Sequence, residues 1–262
     1  MVRRIFAIFL RQFYLYRRSI HRVLGLFYWP TLELFLWGFL TVYLNRIGAA
    51  NFDFVPLLLG GLIFWNLFNR AQQSVSISFL EDVWTRNLGN IFASPIRPLE
   101  FLGGLIMLSV FQSAISFTLM AGLATILWKF DLFRFGLLLL PFFANLFLLG
   151  WTFGILSTAL VLRLGPSVDI LAWSFPVLIQ PLSAVFYPMS VLPGFLQPIA
   201  WLLPTAHVFE GMRAVLLQQV FSPQRLLWAL GLNLCYFTSA LLFFQRSFRH
   251  VRQKGLLQRY TE

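Results

Sequence analysis

LEDVWTRNLGNIFASPIRP, residues 80–98, is a polar island between two long apolar segments, residues 55–79 and 99–128. Glu81, Asp82, Arg86, Asn87, Asn90 and Arg97 lie within it. Ionisable groups at that density are costly in hydrocarbon, so the island belongs at a membrane surface. Its prolines, Pro95 and Pro98, close it off sharply from the apolar segment that follows. Two descriptions fit the stretch taken alone: a short helix presented to a partner, or an ordinary solvated loop.

The rest of the chain supports the membrane setting. Of its 262 residues, 59% are hydrophobic and 31 are Phe, while only 11% are charged. Soluble domains carry roughly 25% charged residues. The mean hydropathy is +0.77. A soluble fold of this size leaves too much of its chain facing water to hide that apolar surface. The class is a polytopic, all-α membrane protein, organised as one transmembrane domain over residues 1–262. The net charge of +11 comes from 18 Arg and 2 Lys against 9 acidic residues. In a soluble protein it would point to nucleic acid. Here the arginines flank the apolar segments, where they set topology and meet lipid headgroups, so no nucleic-acid partner is expected. The single cysteine, Cys235, sits in an apolar run and reads as a packing residue.

Upstream of the island, residues 1–23 have the periodicity of an amphipathic helix. Arg4, Arg11, Arg18 and Arg22 fall on one stripe, and Ile5, Phe9, Phe13, Tyr16 and Ile20 fall opposite. The expectation is an interface helix with its basic face toward anionic headgroups. Arginines interrupt the apolar residues throughout, so the segment does not read as a cleaved leader. Residues 24–44 form the first span, long enough for the roughly 30 Å hydrocarbon core. Residues 45–54 are a loop. The second span, residues 55–79, turns polar halfway: Asn66, Asn69, Arg70 and Gln73 share one face at i, i+3, i+4, i+7. That face must meet protein or a water-filled cavity.

Downstream, residues 99–128 and 135–162 form the third and fourth spans, the latter with Gly150 and Gly154 at close-packing spacing. Residues 163–169 are a tight turn. Residues 170–187 form a fifth span interrupted by Pro176 and Pro181. Residues 188–223 are too long for a turn and too apolar for a solvated loop, and Pro188, Pro193, Pro198 and Pro204 cut them into pieces. Residues 194–203 would make a helix of about 15 Å, half a bilayer. The expectation is a re-entrant helical pair, with residues 205–220 as the returning arm. Residues 226–244 form the sixth span and residues 245–262 a basic tail. With the N-terminus inside, fourteen Lys and Arg lie on the cytoplasmic side and five outside (Arg46, Lys129, Arg134, Arg213, Arg225). That bias places both termini and the island in the cytoplasm.

The chain offers no catalytic machine of its own. Neither Lys129 nor Lys254 follows a glycine, so no phosphate-binding G-x-x-x-x-G-K-[ST] loop exists, and H-E-x-x-H and G-x-S-x-G are absent. His21, His207 and His250 lie in separate regions, so no metal site is expected. Ionisable residues within apolar sequence remain. Glu33 lies mid-span and reads either as a functional group or as a protonated packing residue bonded to Asn or Gln of the second span. His207, Glu210 and Arg213 fall at i, i+3, i+6, with Glu210–Arg213 expected as a self-neutralising pair. Any uphill work needs energy from another polypeptide or an ion gradient.

Two segments carry a resemblance. FLEDVWTRNLGNIFASPIRPLEFLGG (residues 79–104) and VFYPMSVLPGFLQPIAWLLPTAHVFEGMRAVLL (residues 185–217) resemble, in motif, order and spacing, the membrane subunit of ABC exporters of the second exporter type. The first matches an acidic-then-basic run leading through P-x-R-P into the third span, with LEDV where that family more often has an E-R-E-type run. The second matches an F-Y-P…LP exit, a P-T break and an acidic-x-x-Arg helix. The resemblance implies a permease that works as a pair, identical or with a sister subunit. It also implies two separate cytoplasmic ATPase subunits holding ATP and Mg, with no cofactor in this chain, in the cytoplasmic (inner) membrane. It implies ATPase coupling through Glu81, Asp82, Arg86, Asn87 and Asn90, with Arg163 opening the second, smaller contact. Glu33, Asn66, Asn69 and Gln73 are then the candidate translocation pathway, and Pro193, Pro204, His207, Glu210 and Arg213 mark the re-entrant region. The expected cargo is lipid-like, amphipathic or drug-like, with a polysaccharide or lipid-linked glycan as the alternative. A stand-alone ion-driven carrier with Glu33 as proton site, or a lipid-modifying membrane enzyme, is the competing class.

Overall fold

The computed structural model describes residues 1–47 and 53–254. Part of the expected 45–54 loop (residues 48–52) and the end of the tail (residues 255–262, with Arg259) lie outside the described residues. Among the described residues the regular structure is helical: α1 (Val2–Arg18), α2 (Ile20–Ile47), α3 (Phe54–Trp84), α4 (Leu88–Ala93), α5 (Pro98–Trp128), α6 (Leu140–Leu164), α7 (Leu171–Ile179), α8 (Gln197–Trp201), α9 (Pro204–Arg213) and α10 (Pro223–Gln253). Five helices there are long and apolar enough to cross a membrane: α2, α3, α5, α6 with the 3₁₀ turn before it (together Phe135–Leu164), and α10.

The sixth expected span, residues 170–187, is not a continuous helix. α7 has 9 residues, and a 3₁₀ turn Gln180–Leu182 follows it. Pro176 and Pro181 each remove a backbone donor there, and Ala184 takes a left-handed φ of 54°. The chain nonetheless returns along the bundle. The Asn233 side chain donates to Asn145 near the start of α6 (2.9 Å), and the Arg163 guanidinium at its end lies 5.9 Å from the Phe243 ring. α6 and α10 are therefore parallel, and the connection must travel back between them. Gln72 donates to the Ala172 carbonyl (3.0 Å), whereas Gly61 faces the Val185 carbonyl. Residues 172–185 thus run antiparallel to α3 over about 17 Å of its length.

α3 is the axis of the bundle and is buried along most of its length. Asp53 caps it, accepting from the Val55 amide at 3.0 Å. Asn87 N–H to Asp82 C=O and Arg86 N–H to Val83 C=O (both 2.9 Å) end it as a Schellman motif, with Arg86 in the left-handed position at φ 56°. α6 packs on α3 through Gly150 and Gly154. A Cβ at Gly150 would lie 2.7 Å from Ala71 Cβ, and one at Gly154 would lie 2.8 Å from Val75 Cβ. Between apolar helices such close backbone approach supplies the van der Waals contact that the hydrophobic effect cannot.

The core has two apolar layers. One gathers Phe64, Phe68, Phe142 and Phe209; the other gathers Phe79, Phe101, Phe244 and Phe248. Between them lie buried Gln72, Ser76, Ser109 and Gln112. Trp151 donates to Ser109 across this belt (2.8 Å) and Gln72 to Ser76 (2.8 Å). Cys235 is exposed on α10, not part of the packing that its apolar surroundings suggested.

Residues 1–23 also differ from expectation. The helix breaks at Ser19, which is extended (φ −106°, ψ 103°). α1 lies against α5, with Ile5 beside Gly103 and Ile8 beside Gly104, and Phe13 meets Phe111 edge to face at 5.4 Å. Three of the four stripe arginines, Arg4, Arg11 and Arg22, turn toward carboxylates of this chain instead of away from it. A guanidinium gains more from a fixed, partly desolvated carboxylate than from mobile headgroups.

Residues 188–223 are in short pieces, as the prolines require. The first arm is only the 5 residues of α8, not a ten-residue helix. The second is α9, followed by a single wide turn, Ala214–Gln218.

Candidate functional site

Three polar assemblies stand out. The first surrounds the island. Beyond Arg86, the chain turns into α4, whose Leu88 and Ile91 are buried and whose Phe92 packs edge-on to Phe248 at 4.7 Å. Pro98 then opens α5, and Glu100 accepts from the Arg97 amide at 2.9 Å. α1 straps this corner. Arg11 grips Asp82 through both guanidinium nitrogens (3.0 and 2.5 Å), and Gln12 adds a third donor at 3.1 Å. Arg22 pairs with Glu81 at 3.1 Å and Arg4 with Glu100 at 3.4 Å. Asp82 is 2% exposed and its carboxylate is committed to α1. Arg86 and Asn90 are exposed, and Asn90 donates to Asn87 at 3.2 Å. Arg163 is exposed at the end of α6, where Gly165 (φ 94°) stops the helix.

The second assembly is a cleft beside the polar half of α3. Glu33, Asn66, Asn69 and Gln73 all line it, so one cleft of about 470 Å³ gathers the four residues singled out in the sequence as a pathway. Arg70, Trp29 and Trp173 complete that wall. An adjoining cleft of about 350 Å³ shares Glu33, Asn69, Gln73 and Trp173 and adds Trp37, Trp65 and Gln180. Asn66 also accepts from Ser116 at 2.9 Å, so the polar stripe both packs helices and lines space. Arg70 is in electrostatic reach of Glu33 and of Tyr16. Tyr16 reaches in from α1. Burial raises its phenol pKa above the ordinary value, and the nearby Arg70 charge and the Gln112 side chain oppose the rise. Tyr16 therefore brings the strap within electrostatic reach of Arg70 on the cleft wall.

The third assembly braces residues 184–213. Glu210 and Arg213 form the expected pair at 2.9 Å. Glu210 also accepts from the Met189 amide (2.7 Å) and pairs with Arg225 (3.3 Å). Arg213 donates to the Ala184 and Tyr187 carbonyls at 2.8 and 2.9 Å. This satisfies backbone that the prolines leave irregular. His207 shares the helix but not the cluster: its Nε2 meets the Trp201 carbonyl at 2.8 Å. Pro193 is exposed, and Pro204 opens α9.

Sequence reading missed the strap and the tryptophans. The strap had a signal: arginines at seven-residue intervals in α1, and three unpaired acids in and just after the island. Trp29 and Trp173 had none, since tryptophan is common in any membrane chain. Among the described residues no group of three His, Cys, Asp or Glu is placed to hold a metal.

The model of the ABC-2 type transporter family matches residues 3–217, that is, α1 through the turn after α9. No curated protein matches the chain.

Proposed function

Since the chain belongs to the ABC-2 type transporter family, as a multi-pass membrane subunit that is not itself catalytic, we propose that it is the permease of an ATP-driven exporter. In this reading two copies, or one copy and a sister, pair in the cytoplasmic membrane with both termini inside. Two separate ATPase subunits bind ATP and Mg and dock on α4 and on the turn at residues 163–169. Exposed Arg86, Asn90 and Arg163 make the contacts. Glu81 and Asp82 do different work: Asp82 holds α1 to the corner and Glu81 holds the start of α2 through Arg22, so that a push on α4 moves α1, α2, α3 and the start of α5 together. Tyr16 and Arg70 carry that displacement to the cleft.

The cleft is the observation that supports a substrate path. It holds Glu33, Arg70, three side-chain amides and tryptophan faces along one side of α3. Unsatisfied polar groups are costly at membrane depth, and a polar guest satisfies them. An amphipathic, lipid-like or drug-like cargo with a polar head fits this lining. A glycan is the second reading, favoured by Trp37, Trp65 and Trp173 standing beside Asn69, Gln73 and Gln180, because sugar rings stack on indoles and bond to amides. In the proposed arrangement α8 and α9 form a re-entrant pair at the outer end.

Purification in mild detergent followed by reconstitution tests the assignment. The expected outcome is a co-purifying nucleotide-binding subunit and transport that requires ATP. Transport by this chain alone, driven by an ion gradient, would sink it. Within the complex, Arg86→Asn with Asn90→Ala is expected to lower transport at least tenfold while insertion persists, because asparagine accepts the left-handed backbone and neither side chain is buried. Unchanged transport would remove α4 from the coupling role.

A further inference from the structure

The end of the bundle that carries α4 has a second cavity, separate from the cleft. It has a volume of about 560 Å³, within the roughly 300–1,000 Å³ of small-molecule sites. α1, α5 and α10 wall it. Arg97, Arg249 and Arg252 stand around it, and Ile5, Leu99 and Phe248 give it apolar sides. Glu100 also lines it, but its charge is already met by Arg4 at 3.4 Å and by the Arg97 amide at 2.9 Å. Among the described residues none of the three arginines has a carboxylate within ion-pair distance. The three guanidinium groups are exposed and unpaired, so the hollow presents a concentration of positive charge and free N–H donors that suits an anion.

The position narrows the anion. The cavity lies where α5 begins and α10 ends, and both helices are membrane-spanning by length and composition. It therefore opens at a membrane–water boundary whichever way the chain is inserted. Basic groups over apolar walls at that depth match a molecule with a charged head and a greasy tail. We propose that this cavity binds an anionic phospholipid. The arginines take the phosphate through paired N–H donors, and Ile5, Leu99 and Phe248 take the first part of an acyl chain. A smaller cavity of about 290 Å³ shares Arg97, Arg252 and Phe248 and continues beneath α4 to Phe92 and Pro95. The bound lipid thus sits against the element assigned to coupling and stiffens the junction of α1, α4 and α10. The site itself does not depend on what is transported.

The full chain, purified and stripped of lipid, is titrated with phosphatidylglycerol and with phosphatidylcholine of the same acyl chains. Bound lipid is then counted by native mass spectrometry. A preference for phosphatidylglycerol of roughly tenfold or more is expected. Arg249→Gln with Arg252→Gln is expected to abolish the preference without loss of helix content. Arg249→Lys with Arg252→Lys keeps the charges, and Arg17→Gln with Arg18→Gln removes equal charge from exposed positions on α1; both are expected to preserve it. Equal retention of the two lipids overturns the proposal. So does an equal loss in the two glutamine pairs, which would reveal general surface charge, or displacement of the lipid by excess inorganic phosphate, which would reveal a free-anion site.

Discussion

At the scale of single residues, the ion pairs of the strap differ in weight because they differ in burial. The Arg11 and Arg22 side chains are similarly open, at 29% and 25%, but Asp82 is almost fully enclosed whereas the Glu81 side chain is 20% exposed. Removing Arg11 leaves a buried, uncompensated carboxylate, which costs about 3 kcal/mol or more. Removing Arg22 costs less, about 1 kcal/mol, because the Glu81 side chain at 20% exposure regains water once the pair is broken, which that of Asp82 at 3% cannot. Arg11→Ala is therefore expected to lower the unfolding midpoint in detergent clearly, and Arg22→Ala barely. Arg11→Gln with Asp82→Asn is expected to recover most of the loss, since neutral amides keep a hydrogen bond without a stranded charge. A larger effect from Arg22 would overturn this ranking.

At the scale of elements, helix contact is set by glycines whose neighbours are main chain. Gly154 faces the Gln72 carbonyl and Gly150 the Phe68 carbonyl, each 3.0 Å from a notional Cβ. Carbonyls on a buried helix cannot step aside, so alanine at either position forces α3 and α6 apart, at about 1–3 kcal/mol. Gly122 and Gly231 have nothing within 4 Å. Alanine there is expected to be neutral or stabilising by up to about 1 kcal/mol, because glycine disfavours helix. Opposite signs for the two pairs, read by thermal unfolding in detergent, test the packing; equal signs refute it. The residue 170–187 segment shows the limit of reading elements from hydropathy. Its composition was that of a span, but Pro176 and Pro181 remove donors at the places where a continuous helix needs them.

At the scale of the whole molecule, orientation follows from where charge collects. Single-cysteine variants on a Cys235→Ser background give a direct check with a membrane-impermeant maleimide in intact cells. Asn90→Cys and Arg17→Cys are expected to be protected, and Lys129→Cys labelled; the reverse pattern inverts the proposed topology. Sequence alone determined the class, the five spans at residues 24–44, 55–79, 99–128, 135–162 and 226–244, the island as a break between spans, and the polar stripe of α3. These depend on local composition and on the 3.6-residue period, which each segment carries by itself. Only the tertiary structure decided that arginines of α1 and of the start of α2 grip Glu81, Asp82 and Glu100, and that Trp29 and Trp173 share one cleft with Glu33 and the polar stripe of α3. It alone showed that α6 and α10 run parallel with a broken return between them. Such pairings join residues tens of positions apart, and their energy comes from mutual burial and fixed geometry, which no single segment contains.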